Sequence, residues 1–470
     1  MEPGPTTGTM QTPEDASFNY EYISPIGYSY YANATSLSPK FYQTLLDRCW
    51  RRSGKLLYRP DQRRSCCPHY TIRLDSSQFS PSRNQRQTVN RFNKFVLGES
   101  YIKEAARLYP KSREEVKRRD NEFVLTDRVH EAEYRNLKAP PEPAHKLVIT
   151  LEENNFTEEK YHVYDNYQKV VHKDPPEDRT PRAFKRFLCT SPLRREVMVT
   201  SDGKKRKLGS YHQCYRLDGV LVAIGVLDLL PDCVSSVYFL YHESIHKQTP
   251  GKLGAMHEIA LASDEGYRWW YPGFYIHNCP KMKYKVDYAP QYILDPVSLG
   301  WDLLDHTILK LLDQKAFLSM SVERRDDSSA DKLLRDDETR DSKRLKVGNE
   351  KEPTGVESVT DAMDSATAED QPEDMDEDEG EDEDDDTRSL FRSGMPGIKS
   401  VSDMLHVDLD HIALKVFPTG PLFETSDLVA WDSKNITDWP GIKASIAELI
   451  AAVGPDVRDL ICLDMSRERD

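Results

Sequence analysis

Hydrophobic positions change period several times along the chain, and each change marks an element. Tyr211 to Tyr215 reads as a polar strand, Leu217-Asp218-Gly219 has turn chemistry, and Val220 to Leu229 is apolar but for Gly225 and Asp228. That pattern predicts a hairpin entering a buried sheet. After Pro231-Asp232 a third strand covers Ser235 to Tyr241, Leu253 to Ala262 carries apolar residues at helical spacing, and a final strand covers Trp269 to His277. Hairpin, strand, helix, strand is the order of an α/β core in which a helix packs across a bent sheet.

Upstream, Ser38 is placed to cap a helix over Pro39 to Cys49, followed by strands at Lys55 to Tyr58 and His69 to Leu74 with a basic loop, Pro60 to Cys67, between them. Arg83 to Leu97 predicts a helix with one cationic face, and Ser100 to Arg135 continues as charged helix. A strand at His145 to Leu151 and a helix at Glu158 to Val171 follow a proline-rich break. Lys281 to Lys285 alternates cationic with apolar or aromatic residues, which predicts a strand or extended loop, and a helix runs from Asp305 to about Met320. The expected division is a disordered segment 1–19, a basic N-terminal domain 20–138, a linker 139–143 and a second α/β domain 144–320. An acidic disordered linker 321–400 and a small strand-and-helix appendage 401–470 complete it.

The net charge of −15, from 64 basic and 79 acidic residues, is unevenly spread: Glu369 to Asp386 is nearly all Asp and Glu, whereas Arg48 to Arg119 is rich in Arg and Lys. A basic lobe on an acidic tail is a place for a polyanion. No apolar run reaches membrane-spanning length and Met1 to Asn19 lacks the order of a signal peptide, so a cytoplasmic or nuclear protein acting without a membrane is expected. In such a reducing compartment the eight cysteines do not read as a disulfide framework.

Candidate chemistry gathers in four places. Adjacent Cys66 and Cys67 cannot both enter one core, so at least one is exposed or a metal ligand. Arg51, Arg52, Arg63 and Arg64 head a dense basic stretch that suits phosphate, although a solvated cationic surface is the plainer alternative. No RNP or GXXG signature is present, so recognition by shape is expected over a base code, with no DNA partner. Lys281, Lys283 and Tyr284 form either a lysine-protected edge or a site for an anion. His212 and Gln213 have satisfied core hydrogen bonds as their plain reading, whereas Asp228 in an apolar strand must be paired, solvated or functional. Gly251 and Gly254 fall where an acetyltransferase would cradle pyrophosphate, but the two-glycine fingerprint is incomplete.

Several long motifs carry a resemblance. Trp50 to Arg73 (WRRSGKLLYRPDQRRSCCPHYTIR), RFLC at Arg186 to Cys189, SYHQCY, LDLLP, SSVYF, the helix Leu253 to Leu261, and GFYIHNCPKMKYK together closely resemble the eukaryotic arginyl-tRNA–protein transferases, over roughly Ser38 to Asp302. The resemblance implies two lobes like those of N-acetyltransferases (GNAT or Fem type). It implies transfer of arginine from arginyl-tRNA to the α-amino group of proteins beginning with Asp, Glu or oxidised Cys, marking them for the ubiquitin system, by an enzyme working as a monomer. An aminoacyl ester is already activated, so neither ATP nor a covalent intermediate is required. On this reading Asp228 orients the amine or the arginyl side chain, with Tyr211, His212 and Gln213 lining the pocket; Lys281, Lys283, Tyr284 and Arg73 recognise an anion.

The chain departs from the family in two places. There an upstream Cys-Gly-Tyr-Cys joins the Cys pair to hold an iron–sulfur cluster, which needs four thiolates. Here that region reads Ile26-Gly27-Tyr28-Ser29, leaving Cys66 and Cys67 with Cys49 and His69 as stand-ins. His257 stands where the family is expected to have arginine. The rival reading is a non-catalytic relative that binds RNA or degrons and has lost transfer along with the upstream cysteines.

Overall fold

The computed structural model describes residues 15–26, 28–326 and 389–466. Its first region holds β1 (Ala16–Ile26), β2 (Ser29–Leu37), α1 (Pro39–Leu46), β3 (Arg51–Ser53), β4 (Leu56–Pro60) and β5 (Tyr70–Asp75). Next come α2 (Arg83–Leu108), α3 (Arg113–Asn121), α4 (Leu125–Val129), β6 (Leu147–Glu153), α5 (Glu158–Tyr167), α6 (Pro181–Phe184) and β7 (Glu196–Val199). The central run is β8 (Lys205–Leu217), β9 (Val220–Leu229), β10 (Cys233–Tyr241), α7 (Pro250–Glu265), β11 (Trp269–Tyr271) and β12 (Phe274–Tyr275). It is followed by α8 (Pro280–Lys283), β13 (Gln291–Leu294), β14 (Trp301–Leu303), α9 (His306–Gln314), β15 (Ala413–Lys415), β16 (Phe423–Glu424), a helix at Ile442–Val453, and β17 (Ile461–Asp464).

The central hairpin forms as its sequence dictates. Asp218 and Gly219 take φ of 53° and 86°, the left-handed pair that a two-residue turn needs, and set Leu217 opposite Val220. Every residue of β9 after Val220 is buried, as expected of a strand covered on both faces. α7 begins with Pro250 at its first turn and ends at Gly266 (φ 76°), a common way to start and stop a helix. It can lie close to β10 because Gly254 faces Phe239: a Cβ there would stand 2.3 Å from the ring. Gly254 is therefore explained by packing, not by a phosphate cradle.

The result is an α+β architecture with two sheets. One has the order β14-β13-β5-β11-β10-β9-β8-β6, with β12 on β5 and β7 on β8; the other runs β16-β15-β17-β1-β2-β4-β3. The larger core joins α2, α5 and α7 to β8, β9 and β10, through residues such as Val96, Tyr164, Leu227 and Met256. The smaller core joins α1 to the Ile442–Val453 helix through Phe41, Leu45, Ile446 and Ile450.

Several expectations change. The sequence division placed residues 401–470 in an appendage, yet β15, β16 and β17 complete the sheet begun by β1, with Ala16 opposite Ile461 and running parallel. Short strands leave little local signal of their partner. Ala16 to Asn19, expected to be disordered, lie in β1; residues 1–14 fall outside the described residues. Of the expected acidic linker, 327–388 lies outside the described residues, while Ser389 and Leu390 are anchored to Glu448 at 2.7 and 2.8 Å. A boundary at 138 divides a shared core, because Leu74, Phe92 and Val129 pack with the second domain's residues.

The strand or extended loop expected at Lys281 to Lys285 is instead α8 and a 3-10 turn, Tyr284–Asp287. Pro280 starts the helix, and the Cys279 carbonyl accepts from the Met282 and Lys283 amides. The charged stretch after Ser100 breaks into α2, α3 and α4, and α2 itself kinks at Gly98 (φ 77°). Trp269 to His277 divides into β11 and β12 around Pro272-Gly273, where Gly273 has φ 85°.

A candidate active-site cavity between the two sheets

Strand β3 lies at the edge of the smaller sheet and carries two consecutive arginines. Side chains alternate across a strand, and the two guanidinium groups meet different fates. Arg52 reaches into the larger sheet, where its Nε and Nη2 donate to the two carboxylate oxygens of Asp228 at 2.8 and 2.6 Å. Ser210 Oγ also donates to Asp228 at 2.6 Å and in turn meets Ser191 Oγ at 2.7 Å. Both partners are buried, so this bidentate pair fixes β3 against β8 and β9.

Arg51 is 6% exposed, and its three guanidinium nitrogens have no hydrogen-bond partner among the described residues. The group lies 5.2 Å from the Phe274 ring centroid and 5.7 Å from that of Tyr271. Aromatic faces offset part of the cost of burying a cation. They do not replace the hydrogen bonds it lost, a penalty on the order of several kcal/mol for an unpaired buried charge.

Arg51 opens onto a cavity of about 330 Å³ lined from both sheets, within the range of small-ligand sites. Tyr31, Tyr42 and Tyr58 come from the smaller sheet and α1; Ser235, Ser236 and Val237 come from β10. Burial pushes the Tyr42 phenol far above its usual pKa, so it stays protonated and can donate. β10 is irregular at this point: Ser236 pairs with Leu227 and Tyr238 with Val226, leaving Val237 unpaired in a bulge. Bulges recur beside active sites because they turn backbone groups out of the ladder. Across the cavity, Met282 and Lys285 face inward from α8 and the turn after it; the Lys285 ammonium donates to the Phe274 carbonyl at 2.9 Å.

The residues singled out in the sequence scatter around this cavity. Arg51 lines it but is buried, not part of a phosphate-facing surface; Arg52 lines it with its charge committed to Asp228. Asp228 is wholly buried and does not line the cavity, so it is not placed to meet an amine directly. Tyr211, His212 and Gln213 do not line it either. His212 Nε2 meets the Leu188 carbonyl at 3.0 Å, and burial lowers its pKa to about 4. Gln213 accepts from the Tyr215 hydroxyl at 2.7 Å, and Tyr211 lies beneath Arg195 and Lys207.

Arg73 is stacked between Trp269 and Trp301, 3.8 Å from each centroid, and does not line the cavity. Tyr284 packs on Tyr288. Arg63, Arg64, Lys281 and Lys283 are exposed, with Arg64 5.8 Å from the ring of the cavity residue Tyr28. Sequence reasoning missed Tyr42, Lys285 and the β10 bulge. The first two belong to predicted elements whose buried faces no local pattern revealed, and a bulge depends on the partner strand.

Cys66 and Cys67 hold their sulfurs 3.7 Å apart near the surface. Among the described residues they gather no third metal ligand, which does not fit a cluster requiring four thiolates.

Two family profiles match the chain: "Arginine-tRNA-protein transferase, N terminus" over residues 13–87 and "Arginine-tRNA-protein transferase, C terminus" over residues 159–295. Arginyl-tRNA–protein transferase 1 of Saccharomyces cerevisiae is 32% identical over 267 residues, covering 54% of this chain and 48% of that protein. The chain thus spans about half the length of that relative. The Drosophila melanogaster protein of the same name is 27% identical, covering 61% of this chain and 79% of its own length. An aspartate/glutamate leucyltransferase of Pseudomonas fluorescens is 26% identical, covering 56% and 83%.

Proposed function

We infer that this chain, which belongs to the arginyl-tRNA–protein transferase family, moves arginine from arginyl-tRNA to the N-terminal amine of proteins that begin with Asp, Glu or oxidised Cys. The product is a degradation signal for the ubiquitin system. The observation that carries the acceptor choice is Arg51: a buried, unpaired guanidinium in a cavity between two sheets supplies the charge and donors that an acidic side chain lacks elsewhere.

In this reading the acceptor's carboxylate, or the sulfinate of oxidised Cys, meets Arg51 and sets its α-amine against the ester carbonyl. A C–N bond forms, the ester C–O bond breaks, and one amine proton ends on the ribose hydroxyl of the departing tRNA. Most of the rate comes from alignment, since the ester is activated already. The bulge at Val237 offers a backbone N–H for the developing oxyanion, and the protonated Tyr42 phenol offers a second donor. The Asp228–Arg52 pair positions β3 and through it Arg51. Exposed Arg63, Arg64, Lys281 and Lys283 contact tRNA phosphates.

The hairpin, bulged β10, α7 and β11 support the finer assignment of the larger sheet to an N-acetyltransferase-like lobe. We further propose that the enzyme acts as a monomer in the cytoplasm and nucleus.

The test is transfer of labelled arginine from charged tRNA to matched peptides with N-terminal Asp or Ala. Selective labelling of the Asp peptide is expected. Arg51→Ala should abolish that preference, with KM for the Asp peptide rising at least tenfold, while Arg51→Lys retains part of it. A folded protein that binds both substrates and transfers nothing would instead establish the non-catalytic relative.

A further inference from the structure

Away from the cavity, three ligand-type side chains converge where α7 packs on the turn after α4. His130 ends α4, Glu133 begins the 3-10 turn Tyr134–Asn136, and His257 lies in the middle of α7. One ligand atom of each lies within 4.8 Å of the other two. Glu133 and His257 are 1% and 2% exposed. The two imidazole rings face each other edge-on at 6.0 Å.

The cluster is incompletely satisfied. His257 Nδ1 is buried with no hydrogen-bond partner among the described residues, its ring lying edge-on to Tyr215 at 5.3 Å. Glu133 places Oε1 against His130 Nδ1 and Oε2 beside Arg135 Nε at 2.8 Å. The other face of His130 is held as well: Nε2 meets the Asp264 carboxylate at 2.9 Å. A carboxylate on the far nitrogen is the usual way a metal-bound imidazole is oriented. An open pocket of about 530 Å³ lies on the Asp264 side of His130; Glu133 and His257 do not line it.

We propose that His130, Glu133 and His257 bind one zinc ion, with His130 Nδ1, Glu133 Oε1 and His257 as ligands and Asp264 orienting His130. Two imidazoles and one carboxylate suit zinc, whereas calcium and magnesium favour all-oxygen sites. Ligand atoms around zinc sit about 3.4 Å apart, given bonds of roughly 2.0–2.2 Å. The widest separation, up to 4.8 Å, must therefore shorten by as much as about 1.4 Å, while the close His130 Nδ1–Glu133 Oε1 contact must lengthen. The ion would join α7 to the segment after α4, and none of its three ligands lines the cavity at Arg51.

The experiment strips the untagged full-length protein with chelator, then titrates zinc in competition with a chromophoric chelator. One ion per chain is expected, with a rise in melting temperature. Glu133→Gln and His257→Gln should each weaken binding at least tenfold and remove that rise; the partly exposed His130→Ala gives the same loss should a buried variant fail to fold. A Cys66→Ser, Cys67→Ser double variant should bind as the parent does. Cobalt in place of zinc should show d–d bands without thiolate charge transfer. Unchanged binding in the His130 and His257 variants, loss confined to the cysteine variant, or no zinc bound at equimolar concentration would each overturn the site.

Discussion

Adjacent residues on one strand carry opposite kinds of charge chemistry. The Arg51 guanidinium has no hydrogen-bond partner among the described residues, whereas Arg52 has its anion built in. Removing only one member of a buried ion pair strands the other, so Asp228→Ala should cost about 3–5 kcal/mol in denaturant unfolding. Replacing both, as Arg52→Met with Asp228→Leu, should restore much of the stability and also the transfer rate. Restored folding without transfer would return Asp228 to the chemical step. His212 gives a pH test. Its pKa in the folded chain, about 4, lies below the usual 6.5 because burial penalises the cation. The unfolded chain therefore takes up the proton first as pH falls, so this residue's contribution is complete above pH 6.5 and lost toward pH 4. The difference is worth about 3 kcal/mol. The stability gap between the parent and His212→Gln, measured by urea unfolding, should change by that amount across the range; a constant gap would mean that His212 takes up its proton in the folded state as readily as in the unfolded one. The sequence left Asp228 to be paired, solvated or functional, and it grouped Arg51 and Arg52 in one basic stretch. Which face was buried depends on β8 and β9, some 160 residues away.

Elements with a long period were legible: the β8–β9 hairpin, α1 behind its Ser38 cap, and the helix over Leu253 to Ala262, which lies inside α7. Failures came where a short pattern fits two periods. Alternation over Lys281 to Lys285 reads as a strand, yet Met282 and Lys285, three apart, share the buried face of a helical turn. The bulge in β10 had no signal because it arises from the match to β9. Packing of α7 on β10 yields a sharp prediction. Gly254→Ala would set a Cβ 2.3 Å from the Phe239 ring, in backbone that is otherwise ordinary helix. Alanine's better helix propensity is worth about 1 kcal/mol, less than the roughly 1–3 kcal/mol of overpacking. The variant should thus be destabilised by thermal melting, and the change Phe239→Leu alongside it should relieve the loss. A stabilised Gly254→Ala would show that the helix can shift outward at little cost.

β1 and β17, from opposite ends of the described residues, pair with each other, and the candidate site depends on that pairing. β17 completes the sheet that carries β3, and the C-terminal helix is fastened to the N-terminal half by polar bonds as well as by its core. Trp50 Nε1 donates to the Ala452 carbonyl at 3.2 Å; the buried Arg59 guanidinium donates to Ala452 and Pro396 carbonyls at 2.7 and 2.9 Å. Trp50 is next to Arg51, so whatever holds one holds the other. The family profiles end at residue 295, and motif content alone treats the C-terminal segment as dispensable. The packing says otherwise. A chain ending at residue 326 would keep every motif yet expose Leu45, Leu57 and Trp50, which are fully buried in the intact protein. It should lose its cooperative melt and its transfer to the Asp peptide together, and adding residues 389–470 as a separate chain should restore part of both. Normal transfer by the truncated chain would make the segment an appendage after all, and would require Arg51 to be positioned by the Arg52–Asp228 pair alone.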